Sequence, residues 1–193
     1  MPLDASRNSL VLPLLGLLVE QPAHAYDLAS RLTERYRHLH VTRSTVTTLL
    51  KSMERAGVIT PLAPKRVDGR PPRVAYALTD AGFTDFRGRI EAGLRGAQPA
   101  SIDFVMAVSY AAVLPAGDVA DILEARADGL ADDESFRSEH PPGLSEAHML
   151  EMAYWRTVVG AEADWIGNLA ARIRSRDITW PTPPPPDPEG PDQ

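Results

Sequence analysis

The sequence predicts a mainly α-helical protein with one small β-hairpin, built as an N-terminal winged helix-turn-helix followed by a helical C-terminal region. Three observations support this fold class. Apolar residues recur at helical spacing in three short segments before residue 57, two short alternating segments flank a loop rich in glycine and proline, and a long segment with heptad spacing follows. We expect a winged-helix domain at residues 1–95, a helical dimerisation region at 96–176, and a disordered proline-rich tail at 177–193.

The segment from Val41 to Gly57 carries a strong helical pattern. Its apolar residues have the i, i+3, i+4, i+7 spacing of a helix that buries one side: Val46, Leu49, Leu50 and Met53. Thr42 should cap the start of this helix and Gly57 should end it. The opposite face carries five polar or basic residues: Arg43, Ser44, Thr47, Thr48 and Lys51.

The first turn of this helix contains an arginine and no acid, which is unfavourable for an isolated helix because its N-terminus is already electropositive. The same composition suits a helix whose N-terminal end meets DNA, where phosphates supply negative charge and short polar side chains reach base edges. The alternative is an ordinary amphipathic helix with a solvated polar face.

Two further helices are predicted before this one, from Asn8 to Glu20 and from about Ala25 to Arg37. Gln21 and Pro22 separate them, since proline interrupts helical hydrogen bonding. Three helices with a short turn before the third form a helix-turn-helix core.

A hairpin, the wing, is predicted after the third helix. Its strands are residues 58–60 and 73–78, and Asp68-Gly69 lies at the expected tip. Four basic residues flank the tip: Lys65, Arg66, Arg70 and Arg73. We expect them to contact phosphates or the adjacent minor groove, although a solvated basic loop is the alternative. Thr79 should cap a following helix that extends to about Leu94.

The distribution of charge favours a polyanionic partner, although the 193-residue chain has a net charge of −6. Residues 1–90 contain 13 Lys and Arg against 8 Asp and Glu, a net of +5, whereas residues 91–193 contain 7 against 18, a net of −11. Such asymmetry is typical of a protein with one half facing nucleic acid.

Composition also excludes several classes. The chain has no cysteine, so it has no disulfide, thiolate metal site or thiol nucleophile. The apolar stretch from Leu10 to Val19 contains Pro13 and Gly16 and is too short to span a bilayer. We therefore expect a soluble, cytoplasmic protein without a membrane partner.

A long helix is predicted from about Leu144 to Arg174. Residues separated alternately by four and three positions run along it as a seam: His148, Met152, Trp155, Val159, Glu162, Ile166, Leu169 and Ile173. Tyr154, Val158 and Trp165 widen this apolar surface. We expect the seam from Met152 to Ile173 to form a symmetric homodimer, with packing inside one chain as the alternative. Glu162 should either pair with an arginine or point outward.

Aromatic residues in the same region could form an effector site. Trp155 and Trp165 lie on the long helix, and Phe104 and Tyr110 lie on a helix expected to pack against it. Such a surface could bind a planar hydrophobic ligand. The alternative is that these side chains belong to the core and the dimer interface, as aromatic residues at helical spacing commonly do.

No catalytic or metal-binding motif is recognisable. His38 and His40 have no nearby acid or cysteine, and His148 and Glu151 lie on adjacent helix turns without further ligands. The chain contains no glycine-rich phosphate loop and no nucleophile motif. We expect no catalysis, cofactor or metal.

The order of these segments resembles the PadR family of bacterial transcriptional regulators over roughly residues 8–175. The resemblance rests on LLGLLVEQPAHAYDLASRL at 14–32, STVTTLLKSMERAGVI at 44–59, GRPPRVAYALTDAG at 69–82, DFVMAVSYAAVLP at 103–115 and AEADWI at 161–166. Members of that family are dimeric winged-helix repressors, and many respond to small aromatic or hydrophobic ligands. The resemblance implies that residues 42–56 and the wing bind an operator in double-stranded DNA, and that the C-terminal helix dimerises. A symmetric dimer would require a pseudo-palindromic operator.

Two departures from the family pattern limit what the resemblance implies. The family usually has glycine before the tyrosine of the second helix, where this chain has Ala25 before Tyr26. It usually has Leu-Tyr-Pro early in the third helix, where this chain has Val46-Thr47-Thr48. The second departure alters the surface that faces the bases, so the operators of relatives cannot be transferred. A winged-helix module that binds protein is the alternative function, and the basic wing favours DNA.

Overall fold

Three helices and a small antiparallel sheet form the first part of the molecule. The computed structural model describes residues 8–37, 41–63, 74–133 and 145–181. The chain divides into two compact units, Met1–Ile90 and Glu91–Gln193. In the N-terminal unit, α1 is Val11–Glu20, α2 is Ala25–Arg35 and α3 is Arg43–Arg55. The strands are β1, Ala23–His24, β2, Ile59–Pro61, and β3, Ala75–Leu78, and α4 is Asp80–Gly96.

Apolar side chains from all these helices fill the core of the N-terminal unit. The helix α1 is buried along almost its whole length, as its leucine-rich sequence requires. It begins at Val11 rather than at Asn8, because the Asn8 side chain instead accepts a hydrogen bond from the Leu10 N–H at 2.9 Å. The largest side chains with less than 2% exposure in this unit are Leu14, Leu15, Leu17, Leu28, Leu32, Leu49, Leu50, Met53, Ile59, Phe86 and Ile90.

Both predicted ends of α3 are confirmed. The Thr42 hydroxyl oxygen accepts a hydrogen bond from the Thr45 N–H at 3.2 Å, which satisfies one of the free donors at the helix start. Gly57 has a φ of +73°, a left-handed conformation in which a side chain would be strained. The apolar stripe of this helix is buried as expected, with Val46, Leu49 and Leu50 each at 0% exposure.

The predicted hairpin is also confirmed, and a third strand joins it. β2 and β3 pair antiparallel, with Ile59 opposite Leu78 and Pro61 opposite Tyr76. The two-residue strand β1 pairs with the other edge of β3, so the strand order is β1-β3-β2. Pro61 therefore lies on an edge strand, where its missing N–H costs no ladder hydrogen bond.

Thr79 connects the end of α3 to the start of α4. Its hydroxyl accepts from the Gly82 N–H at 3.0 Å, as a capping residue does, and donates to the Gly57 carbonyl oxygen at 2.8 Å. The backbone of Gly82 lies so close to Val58 that a Cβ at residue 82 would collide with the Val58 carbonyl oxygen. The Thr79 hydroxyl and the lack of a side chain at Gly82 therefore hold the start of α4 close to the segment that follows α3.

Helices make up the described part of the C-terminal unit. α5 is Ile102–Ser109, α6 is Ala116–Asp132 and α7 is Leu150–Arg174, with short 3-10 helices at Ala111–Val113 and Glu146–His148. The helices α6 and α7 form the main packing contact of this unit. The long helix thus begins six residues later than the expected Leu144. Among the described helices, none combines the length and the apolar character needed to cross a membrane.

Candidate nucleic-acid interface

One face of α3 presents all five of the residues expected there. Arg43, Ser44, Thr47, Thr48 and Lys51 are all exposed, while the apolar stripe on the other side of the helix is buried. Helical periodicity alone produces this separation, since residues three and four apart share a face. The helix is therefore held by its apolar side and offers a continuous polar side to a partner.

The two threonines of this face have defined orientations. The Thr47 hydroxyl donates to the Arg43 carbonyl oxygen at 2.9 Å, and the Thr48 hydroxyl donates to the Ser44 carbonyl oxygen at 2.9 Å. Because each hydroxyl hydrogen is used within the helix, the oxygen remains as an acceptor beside an exposed methyl group. An acceptor with a methyl group suits base donors and the thymine methyl in a major groove.

Hydroxyl groups also cluster at the N-terminus of α3. The Thr42 hydroxyl lies 2.9 Å from that of Ser44 and 2.8 Å from that of Thr45. No acid occupies the first turn of this helix. The first backbone N–H groups of a helix have no partner inside it and carry the positive end of its dipole, so this end favours a phosphate or another anion.

An aromatic ring holds the first basic residue of α3. The guanidinium carbon of Arg43 lies 4.5 Å from the centroid of the Tyr26 ring. Tyr26 is the second residue of α2 and is 50% exposed. The sequence does not single out Tyr26 as a site residue, because the pairing of a residue on α2 with one on α3 has no local sequence signal.

The remaining charges on α3 are mostly basic. Lys51 is exposed, and the Arg55 side chain donates to the Lys51 carbonyl oxygen at 3.2 Å. Glu54 is the single acid of the helix. Burial, and next the nearby Glu54 carboxylate, raise the pKa of Tyr76 on β3 above its ordinary value. Tyr76 therefore stays neutral at physiological pH and adds no charge to this surface.

The basic residues predicted on the wing, Lys65, Arg66, Arg70 and Arg73, lie outside the described residues. Their contacts with phosphate remain a prediction. His38 and His40 also lie outside the described ranges. Within those ranges, no group of three or more histidine, aspartate or glutamate side chains is placed to hold a metal ion.

The seam predicted for a dimer is divided between two environments. Val159, Ile166 and Ile173 are 2%, 0% and 5% exposed in the single chain, so they belong to its own core and cannot contact a partner as expected. The physical reason is that α6 covers this side of α7. Met152 and Leu169 are partly exposed, and Trp155 is 40% exposed.

Glu162 pairs with an arginine of its own chain. Its carboxylate lies 2.8 Å from the Arg126 guanidinium of α6, and both side chains are nearly buried. The other carboxylate oxygen accepts from the Ala100 N–H at 2.6 Å. The expected arginine partner is therefore present, but the pair joins helices within one C-terminal unit rather than two chains.

A second apolar stripe on α7 remains exposed. Leu150, Tyr154 and Trp165 are 63%, 64% and 50% exposed, and Val158 between them is half-buried. At 100° per residue, this stripe is centred roughly 120° from the buried one. It includes Tyr154, Val158 and Trp165, the three residues that widen the predicted seam. The exposed apolar surface of α7 therefore lies beside the seam predicted for the dimer.

An open groove of about 550 Å³ lies between α5 and α7. Its walls include Phe104, Val105 and Val108 from α5, and Ala161, Glu162 and Trp165 from α7. The structure thus brings together Phe104 and Trp165 of the predicted effector residues. Tyr110 is instead buried at 7% exposure, and Trp155 packs edge-on against Tyr154 with ring centroids 6.1 Å apart, so neither lines the groove.

The N-terminal unit is similar to a known protein family. Residues 14–87 match the family described as the transcriptional regulator PadR-like family. The similarity to this family therefore lies within the N-terminal unit. The match extends from α1 into α4 and includes the whole of α3, so the exposed face described above lies within the PadR-like region.

Two solved structures are similar to this chain. Bacillus subtilis PadR in complex with operator DNA is 19% identical, with 86% of this chain and 99% of that chain covered and a TM-score of 0.42. The smu.1604c protein from Streptococcus mutans UA159 is 17% identical, with 84% and 95% covered and a TM-score of 0.39. No curated protein matches the chain.

Proposed function

We propose that this PadR-like protein is a DNA-binding transcriptional regulator that reads an operator with α3. The observation that carries the proposal is the exposed face of that helix, where basic and hydroxyl side chains stand opposite a fully buried stripe. A helix held in this way fits the major groove, and its electropositive N-terminus meets the phosphate backbone. The family match supports the same function.

The proposed contacts divide by chemistry. Thr47 and Thr48 discriminate bases, because each presents a fixed acceptor and a methyl group. Lys51 neutralises phosphate, because an ammonium on a flexible stem acts as a point charge. The wing residues Lys65, Arg66, Arg70 and Arg73 add further phosphate or minor-groove contacts, as the sequence predicts.

The test begins with selection of genomic DNA fragments by the purified wild-type protein. Affinity is then measured by fluorescence anisotropy on a selected site and on a scrambled duplex at several salt concentrations. Lys51→Ala should weaken binding to both duplexes and reduce the slope of log affinity against log salt by about one unit. Thr48→Ala should reduce the preference for the selected site more than the affinity for the scrambled duplex.

Thr84→Ala is the matched control. Thr84 is exposed on α4, and its hydroxyl donates to the Asp80 carbonyl oxygen at 3.1 Å, as Thr48 does to Ser44 on α3. This variant should bind both duplexes like the wild type. Absence of any DNA binding by the wild type at low salt would refute the proposal and favour the protein-binding alternative.

We propose further that two copies associate through the exposed stripe of α7. Four apolar side chains along one helix, three of them at least half exposed, form a surface that a second copy would remove from water. A symmetric dimer would place two α3 helices on successive major-groove faces about 34 Å apart. Repression is the proposed outcome, because a dimer over such a length of DNA blocks access by other proteins.

Sedimentation at micromolar concentration tests this dimer. Tyr154→Asp should yield monomer, because it places a charge in the centre of the apolar contact. Ala171→Asp should remain dimeric, because Ala171 is exposed on α7 but lies off both the buried and the exposed stripe. A monomeric wild type, or equal behaviour of the two variants, would contradict the assignment.

The groove between α5 and α7 is the proposed effector site. Its apolar walls and the Trp165 indole suit a planar hydrophobic compound. Quenching of tryptophan fluorescence by such compounds should survive Trp155→Leu and disappear in Trp165→Leu, because only Trp165 lines the groove. Regulation further requires that the same compounds change operator affinity, since a ligand shifts an equilibrium only by binding its two states differently. Quenching that survives Trp165→Leu would exclude the groove.

A further inference from the structure

Arg43 is held by an aromatic ring and not by a carboxylate. Its guanidinium carbon lies 4.5 Å from the Tyr26 ring centroid, within the range of a cation–π contact. Among the described residues, Arg43 makes no ion pair. Arg43 therefore has a defined position and no carboxylate partner among the described residues.

Two other arginines of the same unit have a carboxylate partner. Arg31 and Arg35 on α2 both pair with Glu20 of α1, and the Arg35 contact measures 2.6 Å. A guanidinium whose N–H groups are bound to carboxylate oxygens has few donors left for another ligand. Of these three arginines, Arg43 is the one without a carboxylate partner among the described residues.

The ring contact leaves the donors of Arg43 free. A guanidinium is planar, and its five N–H bonds point outward in that plane, whereas an aromatic ring beneath it occupies one face. The contact with Tyr26 thus restricts the side chain without consuming a hydrogen bond. Arg43 is also the first residue of α3, at the helix end that enters a major groove in helix-turn-helix proteins.

We propose that Tyr26 is a specificity-determining positioning residue, which holds the Arg43 guanidinium for bidentate recognition of a guanine. The chemistry fits because the guanidinium fork matches the O6 and N7 acceptors of guanine in the major groove. Tyr26 acts through Arg43 and does not itself read the base. This inference rests on the proposed function, since it requires that α3 binds DNA.

The ring of Tyr26, and not its hydroxyl, holds the Arg43 guanidinium. Two substitutions of Tyr26 therefore separate the contribution of the ring from that of the hydroxyl. Tyr26→Phe keeps an aromatic face under Arg43, whereas Tyr26→Leu removes the ring and keeps a shorter apolar side chain. Tyr26 is half exposed, so neither change opens a cavity in the core. Circular dichroism melting curves check that both variants remain folded.

The experiment measures the ratio of affinities for a selected site and for a scrambled duplex, by fluorescence anisotropy at fixed salt. Tyr26→Leu should lower this ratio about two- to fivefold, the factor that corresponds to an exposed cation–π contact. Tyr26→Phe should stay within about twofold of the wild type. At the selected site, replacement of each guanine by 7-deazaguanine, which lacks the N7 acceptor, should identify one base at which both Arg43→Ala and Tyr26→Leu reduce discrimination. Inosine, which keeps O6 and N7 and lacks only the minor-groove amino group, is the control and should bind like guanine at that base.

The double variant Tyr26→Leu/Arg43→Ala completes a thermodynamic cycle. Its affinity ratio should match that of Arg43→Ala alone, because Tyr26 acts only through Arg43. An additive loss in the double variant, or an equal loss in Tyr26→Phe and Tyr26→Leu, would overturn the positioning role while leaving the proposed function intact. Failure of the wild type to bind any DNA would overturn both.

Discussion

Glu162→Ala should destabilise the C-terminal unit by about 3–5 kcal/mol, the cost of removing one partner from a buried ion pair. The side chains of Arg126 and Glu162 are only 4% and 11% exposed and lie 2.8 Å apart. After the substitution, the Arg126 charge remains buried, with only a 3.4 Å hydrogen bond to the Arg95 carbonyl oxygen and the face of Phe104 at 4.3 Å. These contacts place the expected loss near the lower end of the range.

The backbone at Ala100 adds to this loss. Ala100 has a φ of +55°, a conformation that non-glycine residues rarely adopt, and its N–H donates to Glu162 at 2.6 Å. Without the carboxylate, this strained residue loses the hydrogen bond that holds it in place. The connection between α4 and α5 should therefore loosen together with the contact between α6 and α7.

Urea unfolding followed by tryptophan fluorescence measures the effect. The three tryptophans of the chain, Trp155, Trp165 and Trp180, all belong to the C-terminal unit, so the signal reports that unit alone. The double variant Arg126→Met/Glu162→Ala should recover much of the stability, because no unpaired charge stays buried. A loss below about 1 kcal/mol for Glu162→Ala, the size typical of a surface ion pair, would refute this reasoning. A double variant less stable than Glu162→Ala would refute it as well.

Two further predictions concern the N-terminal unit. Gly82→Ala should strongly destabilise it, because the new methyl group collides with the Val58 carbonyl oxygen, whereas Gly88→Ala on the same helix has open space and should stabilise by about 0.5–1 kcal/mol. Circular dichroism melting curves distinguish the two, and equal effects would contradict the close approach at Gly82. A spectrophotometric titration should show Tyr76 ionising above its ordinary pKa of 10.0, and Glu54→Gln should lower that pKa part of the way. Because the folded state holds this proton more tightly, the stabilisation is complete below pH 10 and decreases as pH rises through the raised pKa; Tyr76→Phe should remove this alkaline decrease.

Local interactions determined much of the fold, and these were predictable from the sequence. Thr42 and Thr79 cap helices through N–H groups three residues away, and Gly57 ends α3 through its own backbone conformation. The exposed face of α3 follows from helical periodicity, which fixes the direction of each side chain relative to its neighbours. A candidate interface on one helix was therefore predictable residue by residue.

Contacts between distant segments required the tertiary structure. Strand β1 has only two residues and exists because β3 pairs with it, so no pattern within it predicts a strand. The ring of Tyr26 meets Arg43 only because α2 and α3 pack together.

The long helix shows the same limit most clearly. Its sequence determined that one side of α7 is apolar with heptad spacing, and Val159 and Ile166 are indeed buried. Only the tertiary structure decided that α6 of the same chain covers that side and that Glu162 pairs with Arg126. The physical reason is that burial of apolar surface is non-directional, so an apolar stripe is equally stabilised by a helix of its own chain and by a helix of another.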